Sequence, residues 1–303
     1  MDMRSIFFII PVILFCIMCQ PQTPKETVKM IDVQGHRGCR GLMPENTLPA
    51  FQKALELDVN TLELDLAVSR DKQLVVSHEP FFRSGLSISP SGNPVTKEDQ
   101  LNHNIYKMSY DTVKMYDVGS LPDPRFPEKE NIHTFKPLLS EVIAKAQHYA
   151  YTFKKPLVNF NIEIKRNPEY DNLFHPPVEE FVNLVIKEVK ELDIYENTTI
   201  QSFDAESLRL VKSKEPRLRT AWLTENEKSL DENLVDLGFK PDIYSCYYKR
   251  LTMEDVESCH NKDILVIPWT VNTVEDIQAM IDMNVDGIIS DYPDRVINLV
   301  RKK

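Results

Sequence analysis

Glu63-Leu64-Asp65 places two carboxylates two positions apart within Thr61–Val68, a run of strand-forming residues. Alternate residues of a strand face the same side, so both acids share a face that Leu64 avoids. Turned inward, such a pair is costly unless something cationic sits between the charges. Turned outward, it is a solvated surface pair, and alternation alone allows both. Asn161-Ile162-Glu163-Ile164-Lys165 repeats the spacing with an acid and a base, which by itself also reads as an exposed ion pair. Three carboxylates from two separate strands make an all-oxygen site suited to Ca²⁺ or Mg²⁺ rather than to zinc or copper. His36-Arg37-Gly38 follows the first predicted strand, Ile31–Gly35, and His78 ends a segment expected to pair with Thr61–Val68. If Val68 faces Gln73, His78 comes opposite Glu63. Two histidines beside a metal can act as general base and general acid on a phosphoryl group; singly, each reads as a structural histidine.

The elements that must carry these groups alternate along the chain. Strands are predicted at Ile31–Gly35, Thr61–Val68, Gln73–Ser77, Val158–Ile164, Thr198–Phe203, Arg219–Leu223, Asp242–Ser245, Ile264–Thr270 and Gly287–Ser290. Helical patterns fall at Thr47–Leu57, Leu138–Ala150, Val178–Leu192, Ala205–Lys214, Thr252–Ser258 and Val274–Met283. Alternation of this kind implies a parallel sheet, and at this length a closed barrel rather than an open sheet. Thr61–Val68 and Gln73–Ser77 are too close for a parallel crossover and should form a hairpin. Residues 81–137, rich in Pro, Gly, Ser and Asn, read as a rim insertion with a helical pattern only around Tyr110–Tyr116.

A length of 303 residues with 42% hydrophobic and 27% charged residues is enough for a sizeable core without crosslinks. A formal charge of -10 argues against a nucleic-acid partner and against general attraction of an anionic substrate. If the ligand carries phosphate, positive charge must be concentrated locally by a metal ion or by a few placed Arg and Lys side chains. Arg4, the apolar run Ile6–Met18 and the polar residues after it form a signal-peptide pattern, too short for a permanent span. Cys19 stands where a bacterial lipoprotein is cleaved and lipidated. The reading is therefore a signal peptide at 1–18, a tether at 19–30 with Cys19 as candidate lipid anchor, and a catalytic domain at 31–303. Export to the periplasm or cell surface of a bacterium follows, with membrane attachment only through that anchor. Cys39, Cys246 and Cys259 suit neither a zinc site nor a disulfide framework; a Cys246–Cys259 bridge stays open beside the reading of buried thiols.

Taken as an ordered set, several segments resemble the glycerophosphodiester phosphodiesterase family. They are His36-Arg37-Gly38, Pro44-Glu45-Asn46-Thr47, Glu63-x-Asp65, His78, Glu163-x-Lys165, Gln201-Ser202-Phe203, Trp269-Thr270-Val271-Asn272 and Asp286-Gly287-Ile288-Ile289-Ser290-Asp291-Tyr292-Pro293. The resemblance implies a single TIM-like (β/α)8 barrel with its site at the carboxyl ends of the strands. It also implies Glu63, Asp65 and Glu163 as ligands of one divalent cation, and His36 and His78 as the acid/base pair. Arg37 and Lys165 would contact phosphate, and Trp269 would lie near the glycerol moiety. The implied reaction cleaves a small glycerophosphodiester to sn-glycerol 3-phosphate and an alcohol. Glu79 departs from the Asp that many relatives carry there, at a position with no implied role. The rival readings are lysophospholipase D-like or inositol-lipid phosphodiesterase activity, or a non-catalytic phosphodiester-binding surface lipoprotein.

Overall fold

The computed structural model describes residues 30–301. The expected signal segment, Cys19 and nearly all of the tether lie outside the described residues. From the first strand, β1 (Asp32–Gly35), the chain runs through α1 (Leu48–Leu57), β2 (Thr61–Val68), β3 (Leu74–Val76), α2 (Tyr110–Val113) and α3 (Leu139–Phe153). Then β4 (Asn159–Ile164), α4 (Val178–Glu191), β5 (Thr198–Ser202), α5 (Ala205–Lys214), β6 (Arg219–Thr224) and α6 (Leu230–Leu237) alternate. The last turns of the alternation are β7 (Ile243–Cys246), α7 (Met253–Asn261), β8 (Leu265–Val266), α8 (Val274–Asp282), β9 (Gly287–Ser290) and α9 (Pro293–Val300). The parallel strands are ordered β8-β7-β6-β5-β4-β2-β1-β9, with β3 paired antiparallel to β2. Three hydrogen bonds join the two ends of that order, from Asp286 N to Val266 O, Ile289 N to Pro268 O and Val271 N to Ile289 O. The result is a TIM-like (β/α)8 barrel.

Outward residues of the strands, such as Leu62, Leu64, Phe160, Ile162 and Ile200, are buried under the helices with Phe51, Ile143, Phe181 and Val185. Each such side chain withdrawn from water contributes about 1.5–3 kcal/mol. β8 is shorter than its apolar run because Pro268 has no N–H to continue the ladder. α6 escaped the helical periodicity, being only eight residues long. Its punctuation was present all the same: Ser229 and Glu232 cap each other, and Gly238 closes the helix at φ 81°.

The hairpin register differs from expectation by one residue. Val68 faces Leu74 and Leu66 faces Val76. Ser69 N–H donates to Gln73 O at 3.0 Å, and Lys72 takes a left-handed φ of 61°, leaving a three-residue loop. His78 is therefore not opposite Glu63. It follows the end of β3, where Ser77 N–H bonds Asp65 O at 2.9 Å. The rim insertion folds onto the outside of this hairpin. Phe82, Val95, Ile105, Tyr110, Val113 and Tyr116 form a separate core with Ala67 and Val75. Cys39, Cys246 and Cys259 are free, buried thiols.

Candidate active site

Because β1, β2 and β4 to β9 are parallel, their carboxyl ends open on one face, where a cavity of about 240 Å³ lies. His36, Arg37, Glu63, His78, Glu163, Lys165 and Trp269 line it together with residues given no role from the sequence, among them Arg40, Gln201, Phe203 and Glu225. A larger cleft of about 500 Å³ lies near Leu55, Lys155 and Arg301 and gathers no comparable set of reactive groups.

Register explains the acidic cluster. Asp65 of β2 faces Glu163 of β4, which in turn faces Gln201 of β5. One ligand oxygen from each of Glu63, Asp65 and Glu163 lies within 4.8 Å of the others, and all three residues are buried. Glu63 Oε2 accepts Arg37 N–H at 2.8 Å, and Oε1 accepts Gln201 Nε2 at 2.7 Å. Arg37 adopts φ 51° to aim that amide; at Gly38 beside it, a Cβ would meet the Ala50 carbonyl carbon at 2.7 Å. Gln201 is itself held by Asn161 Nδ2, which also bonds Gln34. Burial and the neighbouring Asp65 push Glu63 well above the usual carboxylate range. Burial likewise brings Glu163 to about 7 despite Lys165 at 3.0 Å. Burial would also raise Asp65, but Arg37, His78 and Lys165 hold it down as the charged member. Three carboxylates that cannot all ionise in one pocket, with oxygen as the donor type, fit a hard divalent cation.

His36 leaves β1 with its Nδ1 2.6 Å from Asp291 Oδ1. An ionised carboxylate only accepts, which puts the imidazole proton on Nδ1 and leaves the lone pair of Nε2, 3.9 Å from Glu63. Burial first, then Arg40 and Arg37, outweigh Asp291 and depress His36 to about 4. Arg40 grips both oxygens of Asp291 at 2.8 and 3.0 Å. His78 donates from Nδ1 to Glu79 at 2.9 Å and turns Nε2 to Lys165 Nζ at 2.9 Å. Burial and Arg37 lower it too. Glu79 thus orients an imidazole, a role its position did not suggest from sequence. Arg37 spans Glu45 at 3.1 Å and Asp65 at 3.3 Å. Trp269 is pinned by Nε1–H donating to Ser245 O at 2.9 Å and meets Phe203 edge-on at 5.4 Å.

Asp291, Arg40, Glu45, Asn46 and Gln201 were thus not singled out from their residue types. All but Arg40 stand within the recognised segments, which was the available signal. Asn46 Nδ2, for instance, donates to Asp65 Oδ2 at 2.8 Å.

Fold and site together define a β/α barrel that gathers a buried carboxylate cluster, two imidazoles and placed basic side chains at one mouth. Residues 36–295 match the Glycerophosphoryl diester phosphodiesterase family. A glycerophosphodiester phosphodiesterase of Caldanaerobacter subterraneus subsp. tengcongensis is 34% identical over 278 residues, covering 89% of this chain and 98% of its own. The chain belongs to that family. A Silicibacter pomeroyi structure provisionally named a glycerophosphoryl diester phosphodiesterase matches with a TM-score of 0.80 at 27% identity, over 90% of this chain and 94% of that one. An Oleispira antarctica phosphodiesterase solved with the product sn-glycerol-3-phosphate has the same fold, with a TM-score of 0.69 at 20% identity over 90% and 97% of the two chains.

Proposed function

We propose that this enzyme hydrolyses glycerophosphodiesters to sn-glycerol 3-phosphate and an alcohol, with His36 and His78 moving the protons. Glu63, Asp65 and Glu163 would hold one divalent cation, Ca²⁺ or Mg²⁺. The observation that carries this reading is the convergence of both imidazoles, the carboxylate cluster, Arg37 and Lys165 on one cavity. A cation bound there supplies neutralisation of the phosphodiester charge and polarises its oxygens.

Arg37 and Lys165 bind the phosphate and the charge that grows on it. His36, neutral and oriented by Asp291, takes the proton of the glycerol 2-hydroxyl as that oxygen attacks phosphorus. Phosphate binding draws Lys165 from His78 Nε2, which raises the proton affinity of that imidazole. Protonated His78 then gives its proton to the departing alcohol as the P–O bond breaks. Water opens the cyclic phosphate with the two roles reversed. The rim insertion turns Phe82, Ile105 and Tyr116 into its own core, which supports a small soluble substrate over a lipid.

Phosphorus NMR of products from glycerophosphocholine, lysophosphatidylcholine and phosphatidylinositol, each with and without chelator, tests the reading. Glycerol phosphate from the first substrate alone supports it; no turnover of any of them sinks it. We also propose export, with Cys19 as a lipid anchor. Cys19→Ala should move the protein from membrane to soluble exported fractions, and unchanged fractionation would remove the anchor.

A further inference from the structure

The interior of the barrel has two halves of different chemistry. Ala221 of β6, Ile243 of β7, Ile267 just after β8 and Ile289 of β9 pack together as an apolar half. Bulky apolar side chains are the ordinary filling of such a barrel. On the other half, below the acidic cluster, Gln34, Asn161 and Gln201 are polar and at most 2% exposed.

These three amides form one unbroken run of hydrogen bonds with Asn161 at its centre. Asn161 Nδ2 donates to Gln34 Oε1 at 2.9 Å and to Gln201 Oε1 at 3.0 Å. Gln201 Nε2 donates onward to Glu63 Oε1 at 2.7 Å, and Gln34 Nε2 donates the other way, to Asp32 Oδ2 at 2.7 Å. Each arm therefore ends on a carboxylate. Glu63 belongs to the acidic cluster. Asp32 lines a cavity of about 260 Å³ at the opposite end of the barrel, where its Oδ1 accepts Thr61 Oγ1 at 2.7 Å.

The arrangement is unfavourable at its centre. Both amide hydrogens of Asn161 are committed, and its buried Oδ1 has no hydrogen-bond partner among the described residues. An apolar side chain would avoid that loss, as the other half of the interior does. What the run of amides provides is direction. A buried amide can turn over and exchange its oxygen for its nitrogen unless its partners forbid it. Asp32 accepts from Gln34, so Gln34 shows its oxygen to Asn161. Asn161 answers with one hydrogen and aims the other at the Gln201 oxygen, which leaves Gln201 Nε2 facing Glu63.

Resting on the cation-dependent hydrolytic reading above, we infer that Asp32, Gln34 and Asn161 are positioning residues for the cation pocket. Acting through Gln201, they hold Glu63 Oε1 in place from the far end of the barrel, while the Arg37 amide holds Oε2. None of the three lines the catalytic cavity.

The test is calorimetric titration of Ca²⁺ and of Mg²⁺ into the chelator-stripped full chain, with no substrate present. Gln34→Met keeps the length of the side chain and removes its hydrogen bonds; it should weaken cation affinity about tenfold, the low end for groups that orient a metal ligand. Asp32→Leu should do the same. Asp32→Asn should bind like the parent, because its amide oxygen still accepts from Gln34 and the Thr61 hydroxyl can accept in return. In a Gln201→Leu background, Gln34→Met should cause no further loss, since its effect passes through Gln201. Parental affinity in Gln34→Met, or an equal loss with and without Gln201, overturns the inference and leaves the cation pocket standing. Failure of the parent to bind either cation overturns the pocket itself. Urea unfolding in chelator shows that each variant is folded, and if Gln34→Met is not, Asp32→Leu against Asp32→Asn makes the same comparison.

Discussion

Asp291 Oδ1 lies 2.6 Å from His36 Nδ1 although the two residues are 255 positions apart in the chain. Closure of the barrel brings them together, since β9 pairs with β1 and Gly35 faces Ser290. Burial would raise Asp291, yet His36 and Arg40 hold it well below the usual carboxylate range. It therefore stays charged and fixes the tautomer of the imidazole. Asp291→Asn removes the charge that raises the proton affinity of His36. The acidic limb of the kcat/KM–pH profile should move to lower pH, and the plateau should fall about 10–100-fold. An unmoved limb would show that the contact only packs the loop.

The paired-imidazole scheme predicts large single losses. His36→Ala and His78→Ala should each lose about 10²–10⁴-fold in kcat/KM. The double variant should lose far less than the product of the two, because the residues act as one unit. Near-parental activity of His36→Ala would refute the scheme even if the cation pocket proved correct.

Glu163 gives a pH test independent of turnover. Its folded pKa, about 7, is raised by burial above the ordinary carboxylate value of 4.5. In chelator, the native state therefore holds a proton that the unfolded chain has released. The corresponding stability is present below pH 4.5 and is lost as pH rises to about 7, by up to about 3 kcal/mol. Glu163→Gln should flatten that decline in urea or thermal unfolding. It should also abolish the rise in Tm expected on adding Ca²⁺ or Mg²⁺ to the parent. An equal Tm response to cation in the variant would remove Glu163 from the ligand set.

Gln201 of β5 reaches past β4 to hold Glu63 of β2 and is itself held by Asn161. Gln201→Leu leaves Glu63 Oε1 and one Asn161 amide hydrogen unpartnered in the interior, a cost of about 1–3 kcal/mol. Cation affinity, read from the Tm response, should weaken about 10–100-fold. Unchanged affinity would mean that Glu63 is oriented by the Arg37 amide alone.

Much of this was legible from residue types because strand periodicity is short-range. Glu63 with Asp65, and Glu163 with Lys165, needed only the period of two, and the barrel followed from the alternation of strands with helices. What was missed depends on contacts far apart in sequence. The partnership of Asp291 with His36 exists only because the ring closes, and the grip of Gln201 on Glu63 is set by the β4–β5 register. The register of the β2–β3 hairpin slipped by one because Lys72 takes the left-handed conformation, which a lysine does not advertise. Glu79 looked idle because its partner is the adjacent side chain, His78.

The direction in which the chain enters the barrel has a further consequence. β1 runs from Asp32 toward His36, so Met30 lies at the end of the barrel remote from the catalytic mouth. A leash joined at Met30 would hold the molecule by its base, as a lamp is held by its stem. Fastened to a bilayer in that way, the barrel would face outward, drawing on molecules that diffuse past it, while lipids of the supporting leaflet would stay beneath it and out of reach.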